Sequence, residues 1–394
     1  MPPSDPVEPT PATSTSSPVD RARQAAAVIG PLAPEIEAAR RLPPEVVQAL
    51  VEAGVFKLLV PRALGGSEGS LETLLSVLEE LARADGSAGW VAMIGASSAL
   101  MCGFLDEETA REVYGPVDAI TCGTFAPFGR ATIVDGGFRV SGRWPFASGS
   151  LHAQWVMGGA AVEGAEKQPK GAPNIRSMLF RRDEIRVLDT WDVSGLCGTG
   201  SNDFEVENVF VPGARAFSLL TDRPRQAGPI FLQPFFGVLA SGVAAVTLGI
   251  ARAAIDALIE LARKKQPPGA RRSLAHREVV QLEVGRAEAE LGAARAFLFD
   301  SAARSAAEVA ATGAASLATR ARMRLAASHA GTAAARAVDR MYEAGGGTSI
   351  YSKSPLQRHF RDIHTATQHL MISPTITTTV GRLLLGVDVD AETL

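Results

Sequence analysis

The chain has 394 residues, 46% of them hydrophobic, which is enough for a large buried core shared among two or three domains. Its 39 basic and 42 acidic residues leave a net charge of -3, so the charge balance points to neither nucleic acid nor an anionic membrane surface as a partner. Three cysteines, Cys102, Cys122 and Cys197, lack metal-site spacing and are too few for a disulfide framework; a cytoplasmic protein with small buried thiols is expected.

Residues 1–19 are rich in Pro, Ser and Thr and read as a disordered tail. A helical domain is expected over 20–118. Pro44 suits a first helical turn, Val46, Val47, Leu50 and Val51 form an apolar stripe, and Gly54 can cap the end. Leu71, Leu74, Leu75, Leu78 and Leu81 repeat at the helical period. The stretch from Ser87 to Phe104, rich in Ala, Gly and Ser, predicts a central helix that neighbours approach closely. Over 119–228 the texture becomes β-like, and an antiparallel domain is expected. Ala131–Val134 and Phe138–Ser141 flank Asp135-Gly136-Gly137 as a hairpin, and further strands are expected at 155–159, 176–180, 185–188 and 204–211. The polar run from Glu163 to Pro173 reads as a loop. Over 229–394 a four-helix bundle is expected, with helices from about Gly237 to Arg263, Ser273 to Ala311, Ala314 to Ala344 and Pro355 to Ser373.

Several side chains in the middle domain could surround a planar cofactor: Arg143, Trp144, Phe146, Ser148, His152 and Trp155, then Trp191, Ser194, Thr199 and Ser201. Gly195, Gly198 and Gly200 do not open a βαβ unit, so they are no dinucleotide fingerprint. His359, His364 and His369 are five residues apart, a rotation of about 140° per step on a helix. They cannot share one face, and no metal site is expected. One of them can still serve as an acid or base near neutral pH. No G-x-S-x-G elbow supports a hydrolase.

The order helical, β, helical, with certain stretches in sequence, resembles the acyl-CoA dehydrogenase superfamily over about residues 25–380. Those stretches are Leu59-Val60-Pro61-Arg62 with Leu64-Gly65-Gly66, the run Asp85 to Trp90, the run Val140 to Gly149, Trp191 to Leu196, and Tyr342-Glu343-Ala344-Gly345-Gly346. Pro355-Leu356-Gln357-Arg358, Arg361-Asp362 and His369 resemble the superfamily's flavin-dependent monooxygenase branch. The resemblance implies an α+β, acyl-CoA dehydrogenase-like fold and the oxygenase component of a two-component system. Such an oxygenase takes reduced FMN or FAD and molecular oxygen, and acts through a C4a-(hydro)peroxyflavin on a small aromatic, heteroaromatic or amine-type substrate. It further implies a separate NAD(P)H-dependent flavin reductase and a homotetramer.

Carried over position by position, the resemblance assigns His369 and Ser148 to catalysis. It assigns Trp144, Phe146, Ser148, Gly149, Trp191, Ser194, Gly195, Gly345 and Gly346 to the cofactor, and Arg271 or Arg272 to its phosphate across a subunit boundary. Trp90, Ser97, Ser98 and Cys102 fall on the substrate side. Several aromatic hydroxylases of this branch carry a histidine on that helix; residues 89–104 contain none. Two other readings stand beside this one. An FAD-dependent acyl-CoA or acyl-carrier-protein dehydrogenase would need a pocket carboxylate, for which Glu343 is the nearest late candidate, and a non-catalytic helical interaction protein would keep the fold without the cofactor.

Overall fold

The structure is a computed structural model that describes residues 16–165, 173–219, 221–226, 228–390 and 394. Most of the expected tail, most of the 163–173 loop, and residues 391–393 lie outside the described residues. The chain is already helical at Pro18, where Ser17 accepts the Asp20 N–H as an N-cap; residues 18 and 19 therefore belong to a helix and not to the tail.

The helices α1 (Pro18–Ala39), α2 (Pro44–Glu52), α3 (Leu71–Ala84), α4 (Gly86–Ser98) and α5 (Glu107–Tyr114) come first. The leucine stripe of α3 is buried as its period requires. The central helix is shorter than its apolar run, because α4 gives way to a 3-10 turn over Ala99–Phe104. Its small residues do what their size allows: a Cβ on Gly89 would meet Ala82 of α3 at 2.5 Å, and one on Gly95 would meet the Phe56 ring at 2.4 Å. Among the described residues seven strands follow: β1 (Thr121–Val134), β2 (Gly137–Trp144), β3 (Trp155–Glu163), β4 (Ile175–Arg181), β5 (Arg186–Leu188), β6 (Asp203–Pro212) and β7 (Ala216–Phe217). They form one sheet ordered β5-β6-β2-β1-β3-β4-β7. Val134 pairs with Gly137 in the expected hairpin, and Gly136 takes φ +74° in its turn. The expectation of a purely antiparallel sheet needs correction: β1 and β3 run parallel, since β2 leaves β1 by a hairpin and residues 145–154 then carry the chain back to β1's other edge.

The last region holds α6 (Phe235–Lys264), α7 (Glu278–Thr312), α8 (Leu317–Gly345), α9 (Pro355–Ala366) and α10 (Thr375–Leu384). The helix expected to run from Pro355 to Ser373 stops at Ala366; a 3-10 turn over Leu370–Ile372 follows, capped by His369. Helices α6, α7 and α8 pack on one another, with α3 and α9 against α6. By length and composition Gly86–Phe104 and Phe235–Lys264 could cross a membrane, yet both are buried inside this fold, as core helices are.

Candidate active site

Helix α4 sets the first wall. Its N-cap is Asp85, whose Oδ1 accepts the Ala88 N–H at 2.9 Å. One turn on, Trp90 points its indole at two residues from distant parts of the chain. Its Nε1–H donates to Ser148 Oγ at 3.1 Å, and its ring meets the His369 imidazole edge-on with centroids 5.4 Å apart. The structure thus joins the two expected catalytic residues through a third that the sequence placed on the substrate side.

Ser148 sits in the loop after β2, which is stitched to the loop before β6. Ala147 N–H donates to the Asn202 carbonyl and Gly149 N–H to the Thr199 carbonyl. Phe146 adopts φ +64°, a conformation costly for a bulky residue, and leaves its ring 66% exposed. That ring meets Trp191 edge-on with centroids 6.2 Å apart. A large exposed ring held in a strained backbone contributes little to the protein's own packing; it fits one wall of a site for a flat, apolar ligand.

Behind Ser148 lies a row of hydroxyls. Ser148 Oγ and Ser201 Oγ are 2.6 Å apart, as are Ser201 Oγ and Thr199 Oγ1, and Thr199 Oγ1 donates to the Leu196 carbonyl at 2.8 Å. Leu196 is another non-glycine residue at positive φ, +51°. Its carbonyl also accepts the Trp191 indole N–H at 3.1 Å, and its N–H donates to Asp362 of α9 at 2.6 Å. Gly195 is required by this docking, because a Cβ there would stand 2.2 Å from the Arg361 carbonyl oxygen. Ser194 is exposed, and its carbonyl accepts from the Arg361 guanidinium, which also pairs with Glu37 of α1.

Two buried carboxylates lie where the three regions meet. Burial, and then the neighbouring Asp85, push the Asp362 carboxyl up to about 7, against the pull of the Leu196 N–H, Arg358 and Arg361. Asp85 is raised too, again chiefly by burial. His369 behaves oppositely. Burial, helped by Arg324, lowers its pKa to about 4, so the imidazole is neutral near pH 7. The Met371 N–H donates to Nδ1 at 3.2 Å, which makes Nδ1 the acceptor and leaves the proton on Nε2.

Arg271 and Arg272 occupy the exposed loop between α6 and α7. There Lys265 Nζ donates to the Gly345 carbonyl at 2.9 Å. Gly345–Gly347, Lys265, Arg277 and Arg340 line a cleft of about 590 Å³. Gly346, at φ +57° and ψ -147°, holds a conformation that only glycine takes without strain. Gly345 and Gly346 thus line a second region together with Glu343, which is not at the Trp90 site. Arg271 and Arg272 lie in the loop that supplies Pro267, Pro268 and Leu274 to that cleft, without lining it themselves.

Two expectations are corrected. The Trp144 ring cannot stack on a cofactor, because it is fully buried in the sheet, 4.8 Å from Phe204 in a parallel stack, with its N–H on the Gly159 carbonyl at 2.7 Å. Gly129, Gly142 and Gly158 form its slot; a Cβ on any of them would come within 2.7 Å of the indole. The Cys102 thiol does not belong to the substrate side either. It is fully buried within electrostatic reach of Lys57 and Tyr114, and burial pushes it up to about 12. Ser97 and Ser98 are buried on α4; among the described residues Ser97 Oγ has no hydrogen-bond partner, and it faces Gly242 of α6. His359 is buried and neutral, and His364 pairs with Asp339 at 2.8 Å, so the three histidines have separate surroundings. No metal-binding cluster occurs among the described residues. Arg324 was not singled out in the sequence, although it falls on the buried stripe of α8 with Ala327, Ser328 and Gly331.

Comparison with known proteins identifies the family. Residues 19–112 match the family described as acyl-CoA dehydrogenase, N-terminal domain, and residues 241–374 match acyl-CoA dehydrogenase, C-terminal domain. The chain is 34% identical to indole-3-acetate monooxygenase of Pseudomonas putida, over 89% of each chain. It is 31% identical to the flavin-dependent monooxygenase oxygenase subunit HsaA of Rhodococcus jostii, over 87% of this chain and 91% of that one. Among solved structures, XiaF from Streptomyces sp. in complex with FADH2 and glycerol superposes with a TM-score of 0.87 at 26% identity, covering 94% of this chain and 95% of that one. With Trp90, Ser148 and His369 gathered in one place and relatives of this kind along nearly its whole length, the chain belongs to the acyl-CoA dehydrogenase family, in its branch of flavin-dependent monooxygenases.

Proposed function

We propose that the chain is the oxygenase component of a two-component system. It binds reduced FMN or FAD beside Phe146, Ser148, Gly149 and Trp191 and oxygenates a small aromatic, heteroaromatic or amine-type substrate held along α4. The observation that carries this reading is the Trp90 indole, which touches both Ser148 and His369. When bound, the reduced flavin supplies the electrons that activate oxygen. The protein's part is position and electrostatics. The apolar wall of α4 keeps water from the reacting atoms. Ser148, fixed by Trp90 and Ser201, gives the cofactor edge a placed hydroxyl oxygen. His369 is neutral and keeps its proton on Nε2, so it offers a hydrogen-bond donor without a buried positive charge.

Arg271 or Arg272 would hold the cofactor phosphate, and Gly345 and Gly346 would let the backbone approach it. The exposed apolar residues Val279 and Leu282 of α7, near that cleft, support subunit contacts in a homotetramer. The relatives' description as oxygenase subunits supports a separate NAD(P)H-dependent flavin reductase as partner, and a cytoplasmic setting suits both proteins.

A stopped-flow experiment tests the reading. The protein is mixed anaerobically with reduced FMN or FAD, then with oxygenated buffer, using indole-3-acetate and a simple phenol as probes. A flavin absorbance transient absent from free flavin, with an oxygenated product from one probe, is the expected result. Oxidation at the free-flavin rate with both cofactors overturns it, and tight oxidised FAD bleached by an acyl thioester would establish the dehydrogenase instead.

A further inference from the structure

The hydroxyl row behind Ser148 has a direction. Two oxygens less than 3 Å apart repel unless a proton lies between them. The Leu196 carbonyl has no proton, so the 2.8 Å contact consumes that of Thr199. Thr199 then has none for Ser201 at 2.6 Å, and the proton of Ser201 must fill that gap. By the same reasoning, the 2.6 Å gap between Ser201 and Ser148 takes the proton of Ser148. At the other end the Trp90 indole can only donate, and it donates to Ser148 Oγ. Both ends impose the same polarity, from Trp90 through Ser148, Ser201 and Thr199 to the Leu196 carbonyl.

Ser148 therefore has no proton left to give, while its oxygen has one lone pair beyond the indole N–H. The terminus of the row is itself fixed, since the Leu196 N–H is held by Asp362 at 2.6 Å. Ser148, Ser201 and Thr199 are all buried, so water does not compete to reverse the row.

We propose that Thr199 and Ser201 are positioning residues that lock Ser148 as a hydrogen-bond acceptor, so that the site selects reduced over oxidised flavin. The inference rests on the proposed placement of the cofactor beside Ser148. The reduced ring carries a proton on N5 and can donate from it. The oxidised ring presents N5 as a bare acceptor, which an acceptor-only serine leaves unsatisfied. Selection for the form that a separate reductase delivers thus comes from the polarity of three hydroxyls, with no added charge.

The test is equilibrium binding of FMN and of FAD, oxidised in air and reduced under strict anaerobiosis, to the full-length protein. Wild type is expected to bind the reduced form more tightly. Thr199→Val keeps the shape of the side chain and removes its hydroxyl; Ser201 can then donate to Ser148, and Ser148 can donate to the oxidised ring. The ratio of oxidised to reduced Kd should fall roughly five- to tenfold, mainly through tighter oxidised binding. The midpoint potential of bound flavin should drop by about 30 mV for each tenfold change in that ratio. Thr199→Ser, which restores the hydroxyl, should return the ratio to the wild-type value and thereby control for misfolding. A Thr199→Val ratio within twofold of wild type, with Ser148→Ala still weakening reduced-flavin binding, overturns the polarity argument alone. Unchanged binding of both forms in Ser148→Ala overturns the placement of the cofactor as well.

Discussion

Around Ser148, hydroxyls, an indole and a backbone carbonyl form one continuous hydrogen-bonded row sealed from solvent, with its far end tied to a buried aspartate. Around Gly345 the polar groups instead stand on an open cleft built from a loop and a helix end, and Arg271 and Arg272 are exposed in that same loop. The first region ties each polar atom to the next by short hydrogen bonds before any ligand arrives, which suits the orienting of a reacting ring. The second offers charge and a bare backbone, which suffice to hold a phosphate without orienting it finely. Damage to the two regions should therefore have different signatures: loss of coupling in one, loss of affinity in the other.

The largest effect is expected at His369. His369→Ala should lower product formed per flavin oxidised on the order of 100-fold, with a matching rise in hydrogen peroxide and little change in Tm. Normal coupling in that variant would remove the histidine from the chemistry and break the comparison at its sharper end.

A second expectation concerns the support beneath the site. The folded-state pKa of Asp362, about 7, is above its unfolded value near 4. Its protonated form therefore stabilises the fold fully below pH 4, and that contribution is lost as pH rises through 7. Asp362→Asn keeps an acceptor for the Leu196 N–H and cannot ionise. Its stability relative to wild type should climb by about 1 kcal/mol per pH unit between pH 5 and 7, read from urea midpoints. A flat difference would mean that Arg358 and Arg361 hold the carboxylate ionised. The smallest effect is expected at the open cleft, where Arg271→Ala with Arg272→Ala should weaken FMN or FAD binding several-fold. That loss should fade in high salt while coupling of bound flavin stays at the wild-type level; a fall in coupling would show that the two regions act as one.

Local periodicity made much of this legible in the sequence. The leucine stripe of α3, the Asp135-Gly136 turn and the Phe235–Lys264 helix each follow from spacing within a few residues. Motif order identified the fold, and it singled out Ser148, Trp90 and His369 before their contact was known. What sequence spacing misses is who meets whom across the chain. Trp144 shares a motif with Ser148, yet strand alternation turns its ring into a slot left by Gly142 of its own strand and by Gly129 and Gly158 of two others. Arg324 looks like a surface residue on an alanine-rich helix until the stripe it occupies is traced. The hydroxyl row ends on Leu196, whose N–H is held by Asp362 from 166 residues away, which no local pattern records.

That same bond between Leu196 and Asp362 sets an expected order of events during synthesis. A nascent chain can build α1 to α5 and the sheet from segments it already has, but the Leu196 N–H has no Asp362 to bond until α9 is made and docked. Closing so long a loop is slow relative to local structure, so this contact should form among the last. Until then the residues after Trp191 lack their clamp, and a half-made chain has no finished place at which to meet reduced flavin in the presence of oxygen. Oxygen chemistry is thereby deferred until the molecule that must contain it is complete.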